Sequence, residues 1–225
     1  MVHETLYLAV KLTDYYLDRQ TTTVENKLLQ LIGSTALNIA CKFEERSPPV
    51  IDDFLYVCDD VYTRSELLDM EKQVLKAVDF DIGIPLSYTF LRRYAQCGRV
   101  STSTLTLARY VLETSLMDYS FVSFHESKMA AACLLLAMNM NCDGQWDATV
   151  IHYTQYTVAD LIDVTSQLNT MLTTPPLKSL QTILLKYSHH VFNEVGKVAP
   201  LSVQEMNLLR SCKTSGRDAV RYKPA

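Results

Sequence analysis

Thr5-Leu6-Tyr7-Leu8-Ala9 and Thr104-Leu105-Thr106-Leu107-Ala108 are one pattern met twice, 99 residues apart. A second pair follows in the same order: the small-residue stretch Ala36 to Ala40 lies about 95 residues before Ala131 to Leu135. One five-residue match is weak, because helices share composition. Two in order at nearly the same offset mark a duplicated helical domain.

Outward from these anchors, the apolar spacing is helical. In 5–18, Leu6, Ala9, Val10, Thr13 and Leu17 repeat with the helix period. Thr22-Thr23-Val24-Glu25 reads as a capping box, with Thr22 as N-cap. It opens a helix to about Glu45 carrying Leu28, Leu31, Ile32, Thr35, Ala36, Ile39 and Ala40, whose small residues on several faces predict a central helix. Pro48-Pro49 stops it, a short helix is expected over 52–58, and Thr63-Arg64-Ser65-Glu66 caps the next, with Leu67, Met70, Val74, Leu75 and Val78 on one face. Asp79 to Pro85 reads as an extended linker.

The pattern then restarts, with helices expected at 87–96, 103–118, 125–140, 147–153, 158–172 (capped by Thr157 and Asp160) and 177–187. Ser202 and Glu205 cap a short terminal helix, and the stretch from Cys212 reads as a frayed tail. The copy beginning near residue 87 has a helix before its Thr-Leu-x-Leu-Ala segment, whereas four residues precede the segment at Thr5. The first copy therefore lacks its opening helix, and an uncovered apolar groove is expected near Leu6, Val10, Ile32 and Ala36.

Composition narrows the function. The chain has 225 residues, 48% of them hydrophobic and 20% charged, which suits a folded helical protein. A net charge of −4 argues against general nucleic-acid binding, which needs a cationic surface. No apolar run is long enough for a membrane span, and the first residues form no secretory signal. The six cysteines form no Cys-x-x-Cys pair and read as reduced, buried thiols of a cytosolic or nuclear protein. The histidines show no ligand spacing, so no metal is expected, and no glycine-rich loop suggests a nucleotide or other cofactor. The paired acids Asp52-Asp53 and Asp59-Asp60 read as helix-start carboxylates.

Ile39-Ala40-Cys41-Lys42-Phe43-Glu44-Glu45 followed by Pro48-Pro49 resembles the most distinctive segment of the cyclin family. Asp53-Phe54, Asp59-Asp60-Val61-Tyr62-Thr63 and Met70-Glu71 keep the order of its A and B types. Phe90-Leu91-Arg92-Arg93 looks B-type, and Tyr187-Ser188-His189 with Asp52-Asp53-Phe54 looks most like the B-three branch. The resemblance is collinear over about residues 1–200. It implies an all-α fold of two tandem cyclin-box five-helix bundles, the first without its opening helix. The implied limits are 1–83 for the first box, 84–190 for the second and 191–225 for a partly disordered C-terminal extension.

The same resemblance implies a non-enzymatic activating subunit that forms a heterodimer with a cyclin-dependent kinase of the mitotic type, or also of the G1/S type, in the nucleus or the cytoplasm. It places Lys42 and Glu71 at charged positions that hold the kinase C-helix. Phe43, Leu75 and Phe80 fall at apolar contacts, and Gln30 at the rim of a substrate-docking patch. Arg92 and Arg109 match two members of a phosphate-binding pocket whose third position, histidine in the pattern, is Leu105 here. On residue type alone, Lys42 is equally a lysine balancing a helix C-terminus, Glu71 a solvated acid, and the three apolar residues ordinary core. Three other classes compete with this reading: a DNA-binding factor built on the same boxes, an all-α enzyme, and a helical adaptor unrelated to kinases.

Overall fold

In a computed structural model, residues 1–174, 176–177 and 180–211 are described. They form an all-helical protein that divides into two compact units, Met1–Leu86 and Ser87–Ala225. The expected tail from Cys212 onward lies outside the described residues.

The first unit contains α1 (His3–Asp18), α2 (Asn26–Glu44), α3 (Ile51–Val57) and α4 (Arg64–Ala77). Helix α2 is its centre. Leu31, Ile32, Thr35, Ala36, Ile39, Ala40 and Cys41 are buried, and both α1 and α4 pack against it. The alanines allow this close approach.

The second unit contains α5 (Ser87–Cys97), α6 (Thr102–Ser115), α7 (Glu126–Met140), α8 (Ala148–Thr154), α9 (Val158–Thr173), α10 (Thr182–Tyr187) and α11 (Val203–Ser211). Helix α7 is buried on every face from Met129 to Met138, with α5, α6 and α9 around it. The order long, long, short, long of α1–α4 recurs in α6–α9. The short members, α3 and α8, are seven residues each. Helix α5 is the extra member of the second set.

One device at the start of each repeat explains the repeated threonine. Helix α1 begins after Val2, which has no capping side chain. Glu45, just past the end of α2, supplies the acceptor: its Oε1 takes the Val2 N–H at 2.6 Å and the Thr5 hydroxyl at 2.7 Å. In the second unit Asp143, just past α7, does the same for α6. Its Oδ2 takes the Ser101 N–H at 2.8 Å and the Thr104 hydroxyl at 2.6 Å. A carboxylate at a helix N-terminus satisfies orphan N–H groups and meets the positive end of the dipole.

The hydrogen bonds from Thr5 and Val2 hold the Glu45 carboxyl below its ordinary range. Burial works against Asp143, but the bonds from Ser101 and Thr104 outweigh it and the net shift is also downward. Both groups bind protons more weakly folded than unfolded. Their contribution is therefore present above the ordinary carboxylate range, about pH 4, and lost as pH falls through the depressed values. Asp143→Asn should lower the urea midpoint at pH 6 and shrink the further loss on acidification to pH 3. An acid limb identical to wild type would remove Asp143 from the pH dependence.

Five local expectations change. Thr22 is not an N-cap: α2 starts at Asn26 with Glu25 in the capping place, because Thr21-Thr22-Thr23-Val24 is a β-branched run that resists helix entry. The buried residues of α1 are Thr5, Tyr7, Leu8, Ala9, Leu12 and Tyr16, with Leu6, Val10, Thr13 and Leu17 half-buried beside them. No open groove exposes Ile32 and Ala36, which are fully buried under the packing of α1 and α4 on α2. Asp59 and Asp60 lie just beyond the end of α3, not at a helix start, with φ of 54° and 53°. Buried thiols describe Cys41, Cys58 and Cys133, while Cys97 is half-buried and Cys142 exposed.

The capping boxes at Thr63 and Thr157 are present in full, and Ser202 and Glu205 bond reciprocally at the start of α11. Asn169, buried on α9, donates to and accepts from the Leu201 backbone at 2.9 and 2.8 Å. That fixes the residues entering α11, which packs on α9.

Candidate partner-binding surface

Lys42 stands in the last turn of α2 and Glu71 in the middle of α4, and these helices pack together. Lys42 Nζ donates to Glu71 Oε1 at 2.6 Å. The lysine side chain is 43% exposed and the glutamate 14%, so the pair lies at the surface with its acid largely covered. Leu75, one turn beyond Glu71 on the same face of α4, is half-buried. Phe80 follows: its N–H donates to the Leu75 carbonyl at 2.9 Å, and its side chain is 65% exposed. Phe43, beside Lys42, is 54% exposed. The five residues make up a strip on two packed helices: Lys42 and Phe43 in the last turn of α2, Glu71 and Leu75 on α4, and Phe80 just past its end. Two phenylalanines left in water on helices joined by an ion pair supply what a docking surface needs: apolar anchors and a polar fixing point.

The backbone is unusual at Phe80 and at the residue before it. Asp79 and Phe80 have φ of 53° and 59°, the left-handed region that non-glycine residues seldom occupy. No glycine marks the turn, so the sequence carries no sign of it.

Gln30 is exposed in the second turn of α2, next to Leu29, which is 44% exposed. Arg92 on α5 is exposed and Arg109 on α6 is half-buried. The fold brings both to one ring: their guanidinium carbons lie 6.0 and 5.9 Å from the centre of Tyr88. Leu105, one turn before Arg109, is half-buried.

One turn beyond Arg109, Glu113 is buried and accepts from Lys186 Nζ at 2.7 and 2.9 Å and from the Tyr187 hydroxyl at 2.7 Å. Burial first, and then the charge of Glu113, pushes the Tyr187 phenol well above its ordinary value. This cluster ties α10 to α6 and gives Tyr187 a structural place. Among the described residues, no group of three or more His, Cys, Asp or Glu side chains is gathered as a metal site would need, and no helix is long and apolar enough to cross a membrane.

Sequence reasoning missed Glu45, Asp143, Glu113 and Arg19. The repeated Thr5 and Thr104 were a trace of the first two. Arg19, whose Nη1 donates to Asp79 Oδ2 at 2.9 Å and to the Ala77 carbonyl, left none, its partners being about sixty residues away.

Comparison with known proteins agrees with this architecture. The family described as "Cyclin, N-terminal domain" matches residues 1–83, and "Cyclin, C-terminal domain" matches residues 85–201. The chain is similar to the G2/mitotic-specific cyclin-B3 of Drosophila melanogaster, 50% identical over 91% of this chain and 36% of that protein. It is also 50% identical to the Gallus gallus cyclin-B3 over 91% of this chain and 50% of that protein. Against the Homo sapiens cyclin-B3 it is 45% identical over 98% of this chain and 16% of that protein. The chain thus spans half or less of these relatives' length. A viral cyclin from herpesvirus saimiri shares the fold, with a TM-score of 0.66 and 19% identity, over 76% of this chain and 78% of the viral chain. The chain belongs to the cyclin family.

Proposed function

We propose that the chain is a regulatory, activating subunit of a mitotic cyclin-dependent serine/threonine kinase acting at G2/M, and is not itself an enzyme. The observation that carries this reading is the Lys42–Glu71 ion pair between α2 and α4, with Phe43 exposed next to Lys42 in the chain, Leu75 one turn past Glu71 and Phe80 exposed just beyond α4. A protein kinase is active only when its strand lysine pairs with the glutamate of its mobile C-helix. A rigid surface that binds only the swung-in C-helix shifts the population toward that state, by no more than its differential affinity. Such a partner needs a fixed surface and no catalytic group. In this reading Lys42 and Glu71 bond around the kinase C-helix, and the three apolar residues fill its flanking pockets.

The finer assignments belong to the same proposal. Residues 1–83 and 84–190 are the two boxes and 191–225 the extension. Gln30 is part of the rim of a substrate-docking patch, and Arg92 with Arg109 accepts a phosphorylated partner. The protein works in the nucleus, in mitosis and meiosis. Similarity to mitotic cyclins supports the kinase type.

The test is co-purification of the chain with a mitotic kinase subunit, followed by phosphotransfer to histone. A complex whose activity exceeds that of the kinase alone is expected. A chain that binds no kinase, or binds without raising activity, would sink the reading. A salt-dependent shift of duplex DNA would favour the DNA-binding class instead.

A further inference from the structure

Helix α4 ends in a turn whose bonds are those of a Schellman motif: Phe80 N–H to the Leu75 carbonyl at 2.9 Å and Asp79 N–H to the Lys76 carbonyl at 3.1 Å. The residue just past the cap in such a turn is left-handed and usually glycine. Here it is Asp79, with φ of 53°, and the next residue, Phe80, is left-handed too. A side chain makes this conformation less favourable than it is for glycine, so a bond to that side chain bears on how firmly the turn is set.

Arg19 makes such a bond. It follows α1, and its Nη1 donates both to the Asp79 carboxylate at 2.9 Å and to the Ala77 carbonyl. Ala77 is the last residue of α4, where carbonyls lack helical partners and a cation meets the negative end of the dipole. One guanidinium thus ties the end of α1 to the end of α4 and to the strained residue itself. An ion pair this exposed contributes little by itself. Its effect comes from what the turn carries, because Leu75 and Phe80 are the two residues joined by the long bond of the motif.

We infer that Arg19 is a positioning residue for partner binding: by holding Asp79 left-handed it pre-sets Phe80 relative to Leu75, without itself touching the partner. The inference rests on the reading of Leu75 and Phe80 as kinase anchors. A pre-set turn spares the complex the ordering it would otherwise undergo on binding.

Glycine at position 79 separates this role from others, since it adopts positive φ freely and no longer needs the guanidinium. Kinase affinity would be measured for the wild type, Arg19→Ala, Asp79→Gly and the double variant, with amide exchange at Phe80 read on each free chain. Arg19→Ala is expected to weaken binding about 5- to 10-fold and to speed Phe80 exchange, the size of one lost ordering step. In the Asp79→Gly background, the same change should weaken binding less than about twofold, the turn being set by the backbone alone. Equal losses in both backgrounds would overturn the inference, since Arg19 would then act on the partner directly. Wild-type affinity and exchange in Arg19→Ala would overturn it as well. If the wild-type chain binds no kinase, the functional reading fails. Exchange at Phe80 then decides the remaining claim, and a rate unchanged by Arg19→Ala overturns it.

Discussion

Glu71→Ala is expected to weaken kinase binding by about 2–5 kcal/mol, a loss of roughly 30-fold to a few thousand-fold, because truncating one partner of a desolvated charge pair strands the other. In the free chain Lys42 still reaches water, being 43% exposed, and an exposed pair contributes no more than about 1 kcal/mol. The helical far-ultraviolet signal should therefore stay at its wild-type strength. Buried against a kinase, the same lysine would have neither water nor Glu71. Lys42→Ala should fall in the same range, and the double variant should cost less than the two single losses together, since each removes the same bond. Titration of kinase with each variant reads the losses, and circular dichroism reads the fold. Wild-type affinity in both single variants would remove Lys42 and Glu71 from the site. Loss of the helical signal would make the pair structural.

The second large effect concerns stability. Glu113→Ala leaves the buried Tyr187 hydroxyl and the Lys186 ammonium without the carboxylate that accepts from both. Breaking a buried pair from one side costs about 3–5 kcal/mol. Lys186 is one-third exposed and can turn to water, so the lower end applies, about 3 kcal/mol. That lowers the melting midpoint by about 6–12 °C for a domain of this size. Glu113→Gln keeps an acceptor for the phenol and should lose less. A midpoint within about 2 °C of wild type for Glu113→Ala would show that α10 is held by apolar packing alone.

These two sites differ in how far the sequence announced them. Local signals were legible wherever one short segment carries the physics. The Thr63-to-Glu66 and Thr157-to-Asp160 boxes are helix starts in the structure, and the alanine-rich centre of α7 is the most buried helix of its unit. The duplication was legible because Thr5 and Thr104 do the same work, though their acids differ in type and so escaped a letter-by-letter match. Thr22 misled because a capping box read by residue type ignored the β-branched run around it.

The strip itself was named only through family resemblance, and the fold then placed Lys42 within hydrogen-bonding distance of Glu71. What stayed hidden needs two distant segments at once. Glu113 meets Lys186 and Tyr187 more than seventy residues on, and the left-handed Asp79 meets Arg19 from sixty residues away. Tyr187, which opens the B-three-like Tyr-Ser-His segment, is a fully buried anchor for α10.

Tandem duplication alone would make a scaffold bivalent. The capping threonines of α4 and α9 are 94 residues apart, which pairs Glu71 with Thr165 and Leu75 with Asn169. Thr165 is fully buried, and Asn169 is committed to the Leu201 backbone at the entry to α11. At the end of α7, where Lys42 has its counterpart, stand Met140, Asn141 and Cys142, none of them cationic. The second unit thus repeats the framework of the first but neither its charge pair nor its open α4 face. Installing a glutamate at 165 would bury a carboxylate rather than create a second docking point. If the chain binds a kinase as proposed, the expected stoichiometry is one kinase per chain.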